Sequence, residues 1–326
     1  MKTPKKILVI RFSSMGDIIY TTPVVRCLKT QLPDCEVHFL TKPAFQYIYQ
    51  NNPYLTKLHT LQPKLSDTIA AIKKEKFDLI IDLHTNLRTT IIKLATGIPS
   101  STYKKDRINK WLALRFKWNR LISSRHLVDR YMETVKFLGV TNDLKPIDYY
   151  ISNPYQLEDF LPVSHQEKFV AFIIGATHFT KRMPNAKIIE LCRQLDLPIV
   201  LLGGKDVAQN AEEIKAALGD KVYNTCGITN LDQSVFLVSK AHKVIGFDTG
   251  LTHISEAFDK PLASIWGGTT PELLGVHPYQ ISESYIAGVD LPCRPCSKFG
   301  LEKCPLGHFK CMKNIQTDEI VQFINT

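Results

Sequence analysis

Short apolar runs, many of them β-branched, alternate along the chain with longer segments whose apolar residues recur at helical spacing. In the first half this pattern predicts strands at residues 7–12, 36–40, 57–61 and 79–83. It predicts helices between and after them at residues 17–32, 43–50, 66–76, 87–95, 108–118 and 127–138, the third opening with Ser66 as its cap. An alternation of this kind is typical of an α/β protein whose parallel sheet is wrapped by helices.

The pattern breaks between residues 139 and 166, where three prolines flank one predicted strand at 147–151. The alternation then restarts, with strands at 169–174, 199–202, 222–225, 243–246 and 262–266 and helices at 184–195, 207–218, 231–241 and 250–258. We therefore expect two Rossmann-like domains, residues 1–160 and 161–326, with the last helix free to pack back on the first. Their parallel sheets would face each other across a cleft, because ligands of such sheets bind at the carboxyl ends of the strands.

Length and composition narrow the class of protein. A chain of 326 residues suits two domains, and 44% hydrophobic with 22% charged residues is typical of a folded globular protein. Apolar runs stay well short of the roughly 20 residues that cross a bilayer. The first of them, residues 7–10, has strand length and no cleavage site after it. These features predict a cytoplasmic protein.

The net charge of +10 is concentrated in the first half of the chain. Residues 1–160 hold 25 Lys and Arg against 14 Asp and Glu, whereas residues 161–326 hold 16 against 17. Such asymmetry indicates an anionic partner, which can be nucleic acid, a membrane surface or an acidic substrate; a general solubilising role is the alternative.

One basic stretch, residues 104–130, mixes nine Lys and Arg with Trp111, Phe116 and Trp118. This mixture suits an anionic membrane interface or a phosphorylated glycolipid. The alternative is a solvated helix face whose aromatic residues belong to the core. Nucleic acid is not the expected partner, because no known binding motif is present.

The loop after the first strand carries candidate chemistry. Gly16 permits a tight turn from strand to helix, and the small Ser13 and Ser14 leave room for a ligand. A single glycine does not make the dinucleotide fingerprint, which disfavours a nicotinamide-dependent oxidoreductase. Asp17 stands where the helix begins, so it is either a helix N-cap or a general base at the mouth of the cleft.

A second loop, residues 245–253, leads from a strand into a helix. Free backbone N–H groups and the positive end of the helix dipole at Thr249, Gly250 and Leu251 suit a pyrophosphate. Asp248 would repel phosphate, so it more plausibly braces the loop or binds donor hydroxyls. His253 lies one turn into the helix on the side of the loop, where it is either a ligand contact or a structural histidine.

A third loop, residues 175–184, adds positive charge to the same cleft. Lys181 and Arg182 can stabilise the charge that develops on a departing nucleoside diphosphate. Two aspartates spaced Asp-x-Asp, the usual holder of a metal ion in sugar transfer, are absent from the sequence. Metal-dependent transfer is therefore disfavoured.

Four cysteines cluster near the end of the chain, with His308 among them. Their spacing can form a structural zinc site, although the second pair is more widely spaced than usual, and reduced or packed thiols are the alternative. The four are Cys293, Cys296, Cys304 and Cys311.

Taken in order along the chain, these motifs resemble those of glycosyltransferase family 9. The similar segments are Ser13-Ser14-Met15-Gly16-Asp17 with Thr21-Thr22-Pro23, then Lys181-Arg182-x-Pro184, residues 246–253, and residues 266–271. The resemblance implies the GT-B architecture, with ADP-L-glycero-D-manno-heptose as donor. It implies Kdo–lipid A, or a heptose already on that core, as acceptor.

The resemblance also implies roles for single residues. Asp17 is the expected base, and Lys181 is expected to bind donor phosphate. The expected donor site comprises Thr177, Lys181, Arg182, Asp248, Thr249, Gly250, Leu251 and His253, and the expected acceptor site comprises Ser13, Ser14, Gly16, Arg88 and Arg120.

Three positions depart from the family pattern. Met183 stands where many members have Trp, and residues 82–85 read Asp-Leu-His-Thr where Asp-x-Gln-Gly is common. Gly267-Gly268-Thr269 replaces the common Gly-Pro-Thr. These departures bear on the sugar and the acceptor more than on fold or chemistry.

The sequence thus predicts an inverting transfer of heptose to the lipopolysaccharide inner core. The enzyme would work peripherally at the inner face of the cytoplasmic membrane, on an anionic glycolipid, with no cofactor and no metal at the site. Three alternatives remain open: another nucleotide sugar, a nucleotide-sugar epimerase, and a non-catalytic binder of anionic surfaces.

Overall fold

The computed structural model describes residues 4–326, which form two compact units. The first unit comprises the chain up to Asp106 together with Arg125–Ser152, and the second comprises Arg107–Ser124 and Asn153–Thr326. The segment Arg107–Ser124 therefore belongs to the second unit, although it lies within the predicted 1–160 domain. A functional boundary at residue 160 stays a prediction.

The elements up to residue 132 follow the predicted alternation closely. In chain order they are β1 (Lys6–Ile10), α1 (Met15–Ile19), α2 (Thr22–Gln31), β2 (Glu36–Thr41), β3 (Lys57–Thr60), α3 (Leu65–Glu75), β4 (Leu79–Asp82), α4 (Leu87–Thr96), β5 (Ser100–Thr102), α5 (Arg107–Phe116) and α6 (Leu127–Met132).

All strand pairs of the first sheet are parallel, in the order β3-β2-β1-β4-β5. One face of it buries Leu8, Leu40 and Ile80 beneath Ile72 of α3 and Ile92 of α4. Because parallel strands end at the same edge, the loops after β1 and β4 lie side by side at the carboxyl edge of this sheet.

The second unit repeats this arrangement with a larger sheet. Its further elements are β6 (Val170–Ile173), α7 (Asn185–Arg193), β7 (Ile199–Leu202), α8 (Ala208–Leu218), β8 (Val222–Asn224), α9 (Leu231–Lys240), β9 (Lys243–Phe247), α10 (Gly250–Ser255), β10 (Leu262–Trp266), α11 (Pro271–Leu274), β11 (Ser284–Gly288), α12 (Lys310–Lys313) and α13 (Thr317–Asn325).

The strands of this sheet are also parallel, in the order β11-β10-β9-β6-β7-β8. Since β6, β9 and β10 are neighbours, the loops that follow them meet at one edge. The loops after β6 and β9 carry the residues that are expected at the donor site.

The last helix, α13, packs within the second unit. Ile320 and Ile324 are buried in its core, and the Asn325 side chain donates to the Gln194 carbonyl at 3.1 Å. The packing of this helix back on the first domain stays a prediction.

Three local predictions are wrong. Residues 147–151 form no strand. The helix predicted at 17–32 is two helices, because the chain bends at residues 20–21 before Pro23 opens α2. Lys64, and not Ser66, takes the cap position of α3, without a side-chain cap.

None of the helices within residues 4–326 combines the length and hydropathy needed to span a bilayer.

Candidate active site

Asp17 lies in the first turn of α1, three residues after the cap. Ser14 occupies the N-cap position, and its backbone N–H and its hydroxyl donate to Asp17 Oδ2 at 3.2 and 2.9 Å. Asp17 is therefore the third helical residue, closing a capping box with Ser14. The predicted N-cap role belongs to Ser14.

Arg11 is the second partner of Asp17, and sequence reasoning missed it. Its Nη2 lies 2.8 Å from Asp17 Oδ2, while Nε donates to the Ser13 carbonyl at 2.8 Å. Its Nη1 donates to the Leu83 carbonyl at 2.6 Å, which ties the loop after β1 to the loop after β4. The sequence feature that could have indicated this role is the position of Arg11 directly after the apolar run of residues 7–10.

These contacts decide the charge of Asp17. Desolvation opposes ionisation, but the Arg11 guanidinium and the Ser14 hydrogen bonds outweigh it and hold the pKa of Asp17 below its usual value. The side chain keeps 33% of its surface exposed. Asp17 is thus an ionised carboxylate, open on one side, that can accept a proton from a bound hydroxyl.

The expected acceptor residues are placed as follows. Ser13, Ser14 and Gly16 share the Asp17 loop and are all partly or fully exposed. Arg88 is exposed in the first turn of α4, at the same edge of the first sheet. Arg120 is exposed in the second unit, in a 3₁₀ turn after α5, so it is not part of the unit that holds Asp17.

His84, one of the departures from the family pattern, also lies beside this loop. Its ring stands 5.1 Å from that of Phe12, and its Nδ1 is buried without a hydrogen-bond partner. Burial, with the Arg11 and Lys105 charges nearby, lowers the pKa of His84 to about 4. The ring is therefore neutral at pH 7 and offers a polar atom next to Asp17.

In the second unit, Asp248 joins three of the predicted loops. Its carboxylate pairs with Lys181 at 2.6 Å, accepts from the Thr269 hydroxyl at 2.8 Å and faces His253 Nε2 at 3.3 Å. Asp248 follows β9, Lys181 follows β6 and Thr269 follows β10. Asp248 therefore braces these loops against one another, and its place in a donor site stays a prediction.

The opposite charges in this cluster stabilise each other's ionised forms. Burial disfavours both ions, yet the His253 and Lys181 contacts lower the pKa of Asp248 to about 2. Asp248 and Glu256 likewise raise the pKa of His253 to about 9 against its burial. Glu256 lies 3.4 Å from His253 Nδ1 and accepts the Tyr279 N–H at 3.0 Å. His253 is therefore an imidazolium at pH 7.

Among the residues that the structure describes, the others expected at the donor site make no hydrogen bond or ion pair with the Asp248 carboxylate. Thr249, Gly250 and Leu251 open α10 directly after Asp248, as expected. Thr177 is exposed in the loop after β6. Arg182 turns to other partners, because its Nε donates to the Ala176 carbonyl at 2.5 Å and its Nη2 pairs with Asp206.

Thr269 and Glu256 are the members of this cluster that sequence reasoning missed. Thr269 belongs to the segment 266–271, which resembles family 9 but was not assigned a role in donor binding. Glu256 stands three residues after His253, a helical spacing that places the two side chains on one face. That spacing was the available signal.

The aromatic residues of the basic stretch are on the surface. Trp111 and Trp118 are more than half exposed. The ring of Phe116 meets that of Trp111 edge-on at 5.7 Å and lies tilted against that of Trp118 at 5.4 Å, between ring centroids. Lys117 donates to the Pro295 carbonyl at 2.6 Å. The interpretation of these aromatics as core residues is therefore wrong.

The four clustered cysteines are free thiols. The Cys296 thiol donates to the Cys293 carbonyl at 3.4 Å, and Cys293 Sγ lies 4.0 Å from His308 Nε2. Within residues 4–326, the groupings of metal-ligating atoms within 4.8 Å of one another do not include these cysteines. The predicted structural zinc is thus without support from the geometry.

Comparison with known proteins decides the family. The family model for glycosyltransferase family 9 (heptosyltransferase) matches residues 67–306. The chain belongs to glycosyltransferase family 9. It is therefore a glycosyltransferase, and the interpretations as an oxidoreductase or a non-catalytic binder are set aside.

Individual family 9 proteins support this assignment at low sequence identity. Lipopolysaccharide heptosyltransferase 1 of Campylobacter coli is 22% identical over 292 residues, covering 81% of this chain and 84% of that protein. A family 9 structure from Veillonella parvula superposes with a TM-score of 0.77 at 19% identity, covering 98% and 95% of the two chains. The structure of E. coli ADP-heptose lps heptosyltransferase II superposes with a TM-score of 0.72 at 18% sequence identity, covering 98% of this chain and 97% of that chain. The predicted GT-B fold class is confirmed.

Proposed function

We propose that this family 9 enzyme transfers a heptose from ADP-L-glycero-D-manno-heptose to the lipopolysaccharide inner core, either Kdo–lipid A or a heptose on it. The names of the family, of its Campylobacter relative and of the E. coli structure support the sugar, the nucleotide and the acceptor class. The observation that carries the chemistry is the ionised, partly exposed Asp17 held by Arg11 and Ser14.

The first unit supplies the base. An acceptor hydroxyl oxygen attacks the anomeric carbon while the bond from that carbon to the donor phosphate breaks. The hydroxyl proton passes to Asp17, and ADP leaves with the electron pair of the broken bond. One displacement on a single face inverts the anomeric centre.

The second unit supplies the donor site. Backbone N–H groups at Thr249, Gly250 and Leu251 begin α10, and these groups favour a pyrophosphate. Lys181 now pairs with Asp248 and retains ammonium protons to share with a phosphate oxygen. The imidazolium of His253 adds a second fixed cation against the charge that develops on ADP.

In this mechanism, side chains and backbone groups of the chain carry out both the proton transfer and the stabilisation of the leaving group. Proton transfer falls to Asp17, and charge on the leaving group is met by Lys181, His253 and the start of α10. We therefore propose that neither a cofactor nor a metal ion takes part in the transfer.

We also propose a location for the acceptor. An anionic glycolipid is embedded in a membrane, and the exposed aromatic and basic residues of 107–124 suit the interface of an anionic bilayer. The enzyme would then be cytoplasmic and bound peripherally to the inner membrane, with no nucleic acid partner.

Thermal shift with a panel of ADP-, UDP- and GDP-sugars tests the donor. A ligand at one hundred times its Kd stabilises a protein by about 2.7 kcal/mol, so the true donor should stand out. We expect ADP-heptose to raise the melting temperature most, and Lys181→Gln to reduce that shift. Lys187→Gln is the control, because Lys187 in α7 pairs with Glu190 and is not among the expected donor residues. A larger shift with a UDP- or GDP-sugar would overturn the proposed donor. A sugar product formed without an acceptor would favour the epimerase instead.

A further inference from the structure

A second polar cluster lies in the first unit, where β2, the edge strand β3 and the end of α3 meet. His38 is buried in β2, His59 stands in the edge strand β3, and Glu75 is the last residue of α3. One ligand atom from each of the three lies within 4.8 Å of the other two. The mechanism above uses none of them.

The two imidazoles meet through their nitrogens. His38 Nδ1 and His59 Nε2 are 2.9 Å apart, and their rings stack at 5.2 Å. The other ring nitrogen of His38, Nε2, lies 3.2 Å from Glu36 Oε2. A carboxylate that accepts from the far nitrogen of a histidine orients the ring and leaves the near nitrogen free to bind, as in many metal sites.

We propose that His38 Nδ1, His59 Nε2 and a carboxylate oxygen of Glu75 bind a divalent transition metal ion of the zinc type. Two imidazoles and one carboxylate, with water in the fourth position, are ligands that zinc accepts. Bonds of about 2.0–2.1 Å in a tetrahedral site place ligand nitrogens about 3.3 Å apart. The observed separation of 2.9 Å is a few tenths of an ångström shorter, so the rings would move apart and turn both nitrogens toward the ion, with the His59 proton moving to Nδ1.

Two lysines now pair with the Glu75 carboxylate. Glu75 Oε2 lies 3.1 Å from Lys6 Nζ, and Glu75 Oε1 accepts from Lys57 Nζ at 2.5 Å. The Lys57 side chain is 55% exposed, so its ammonium can return to water at little cost when an ion arrives. Lys6 also pairs with Glu36 at 3.0 Å and would keep that partner.

The position of the cluster indicates a structural role for the ion. It would link β2, the edge strand β3 and the end of α3, and an edge strand gains from any added attachment. Asp17 follows the carboxyl end of β1, whereas Glu36 and Lys6 begin their strands at the opposite edge. The ion would thus stabilise the first unit and leave transfer unchanged, so this proposal does not depend on the proposed reaction.

Titration of the full chain with Zn²⁺ against a chromophoric chelator tests the site. The matched variants are His59→Gln, which removes a ligand, and Lys57→Met, which removes the competing cation. Lys57 is exposed and His59 is half-buried, and both substitutions keep the approximate size of the side chain. Because the free cysteines also bind zinc, the titration is repeated with Co²⁺, whose thiolate complexes absorb strongly in the near ultraviolet and whose His and carboxylate complexes do not.

We expect one Co²⁺ bound without thiolate absorption, at least tenfold weaker in His59→Gln and severalfold tighter in Lys57→Met. Zn²⁺ should also raise the melting temperature of the wild type more than that of His59→Gln. Equal affinity in the wild type and both variants overturns the proposal, as does metal binding that is accompanied only by thiolate absorption. Lys57→Met keeps the test decisive if His59→Gln fails to fold.

Discussion

Asp17 shows what a residue type reveals and what it does not. An aspartate at the start of a helix was readable from the sequence as either a cap or a base, and the structure gives the cap position to Ser14. Arg11 then fixes both the orientation and the ionisation of the carboxylate. That pairing could not be predicted, because it depends on how the loop folds back over Leu83.

Changing Arg11 should alter the pH dependence of the reaction. The Arg11 charge lowers the pKa of Asp17. Without it, burial raises that pKa, and protonation removes the base at higher pH than in the wild type. We expect the acid limb of kcat/KM to move to higher pH in Arg11→Gln and to move less in Arg11→Lys, which keeps the charge. An acid limb at the same pH in all three proteins would contradict the role of Asp17 as the base.

At the scale of elements, the alternation of apolar runs located the buried central strands well. It missed β5, because a three-residue Ser-Ser-Thr strand carries no apolar run, and it missed β11, a largely exposed edge strand whose apolar run is only three residues long. It wrongly added a strand at 147–151, although Ile147 and Tyr149 are buried there in alternation. Burial alternation is a property of packed loops as well as of strands.

The contact between β9 and α10 is close enough to test. A Cβ at Gly246 would lie 2.2 Å from Thr252 Oγ1 and 2.9 Å from Thr252 Cγ2, so the start of α10 would have to move. We expect Gly246→Ala to lower the free energy of unfolding by about 1–3 kcal/mol and to weaken donor binding. Thr252→Ala in the same chain should restore part of both. Denaturant unfolding of the four proteins of this cycle measures the coupling, and strictly additive effects would show that the contact is not the cause.

At the scale of the whole molecule, the two parallel sheets and the family were predictable from the order of the motifs. The assignment of residues 107–124 was not, because contacts across many residues decide it. The first unit holds 20 basic and 12 acidic residues, and the second unit holds 21 basic and 19 acidic residues. Part of the excess positive charge that was assigned to the predicted 1–160 domain therefore belongs to the second unit.

The exposed aromatic and basic segment leads to a prediction for membrane binding. The full chain should sediment with anionic vesicles, less so at high salt and little with neutral vesicles, because both charge and apolar surface contribute. Replacing Trp111 and Trp118 by Ala should reduce binding severalfold, whereas Phe137→Ala, at a residue 48% exposed in the first unit, should not. Equal loss in both variants would show that this segment is not the interface.

The most direct test of the account is heptose transfer by Asp17→Asn alongside donor binding by the same protein. The variant keeps the shape of the side chain and removes the proton acceptor, while Lys181, His253 and the start of α10 stay intact. We predict a fall in kcat of at least a hundredfold with an unchanged Kd for ADP-heptose, since general-base catalysis contributes about 10²–10⁴-fold. Wild-type kcat in Asp17→Asn would contradict the account.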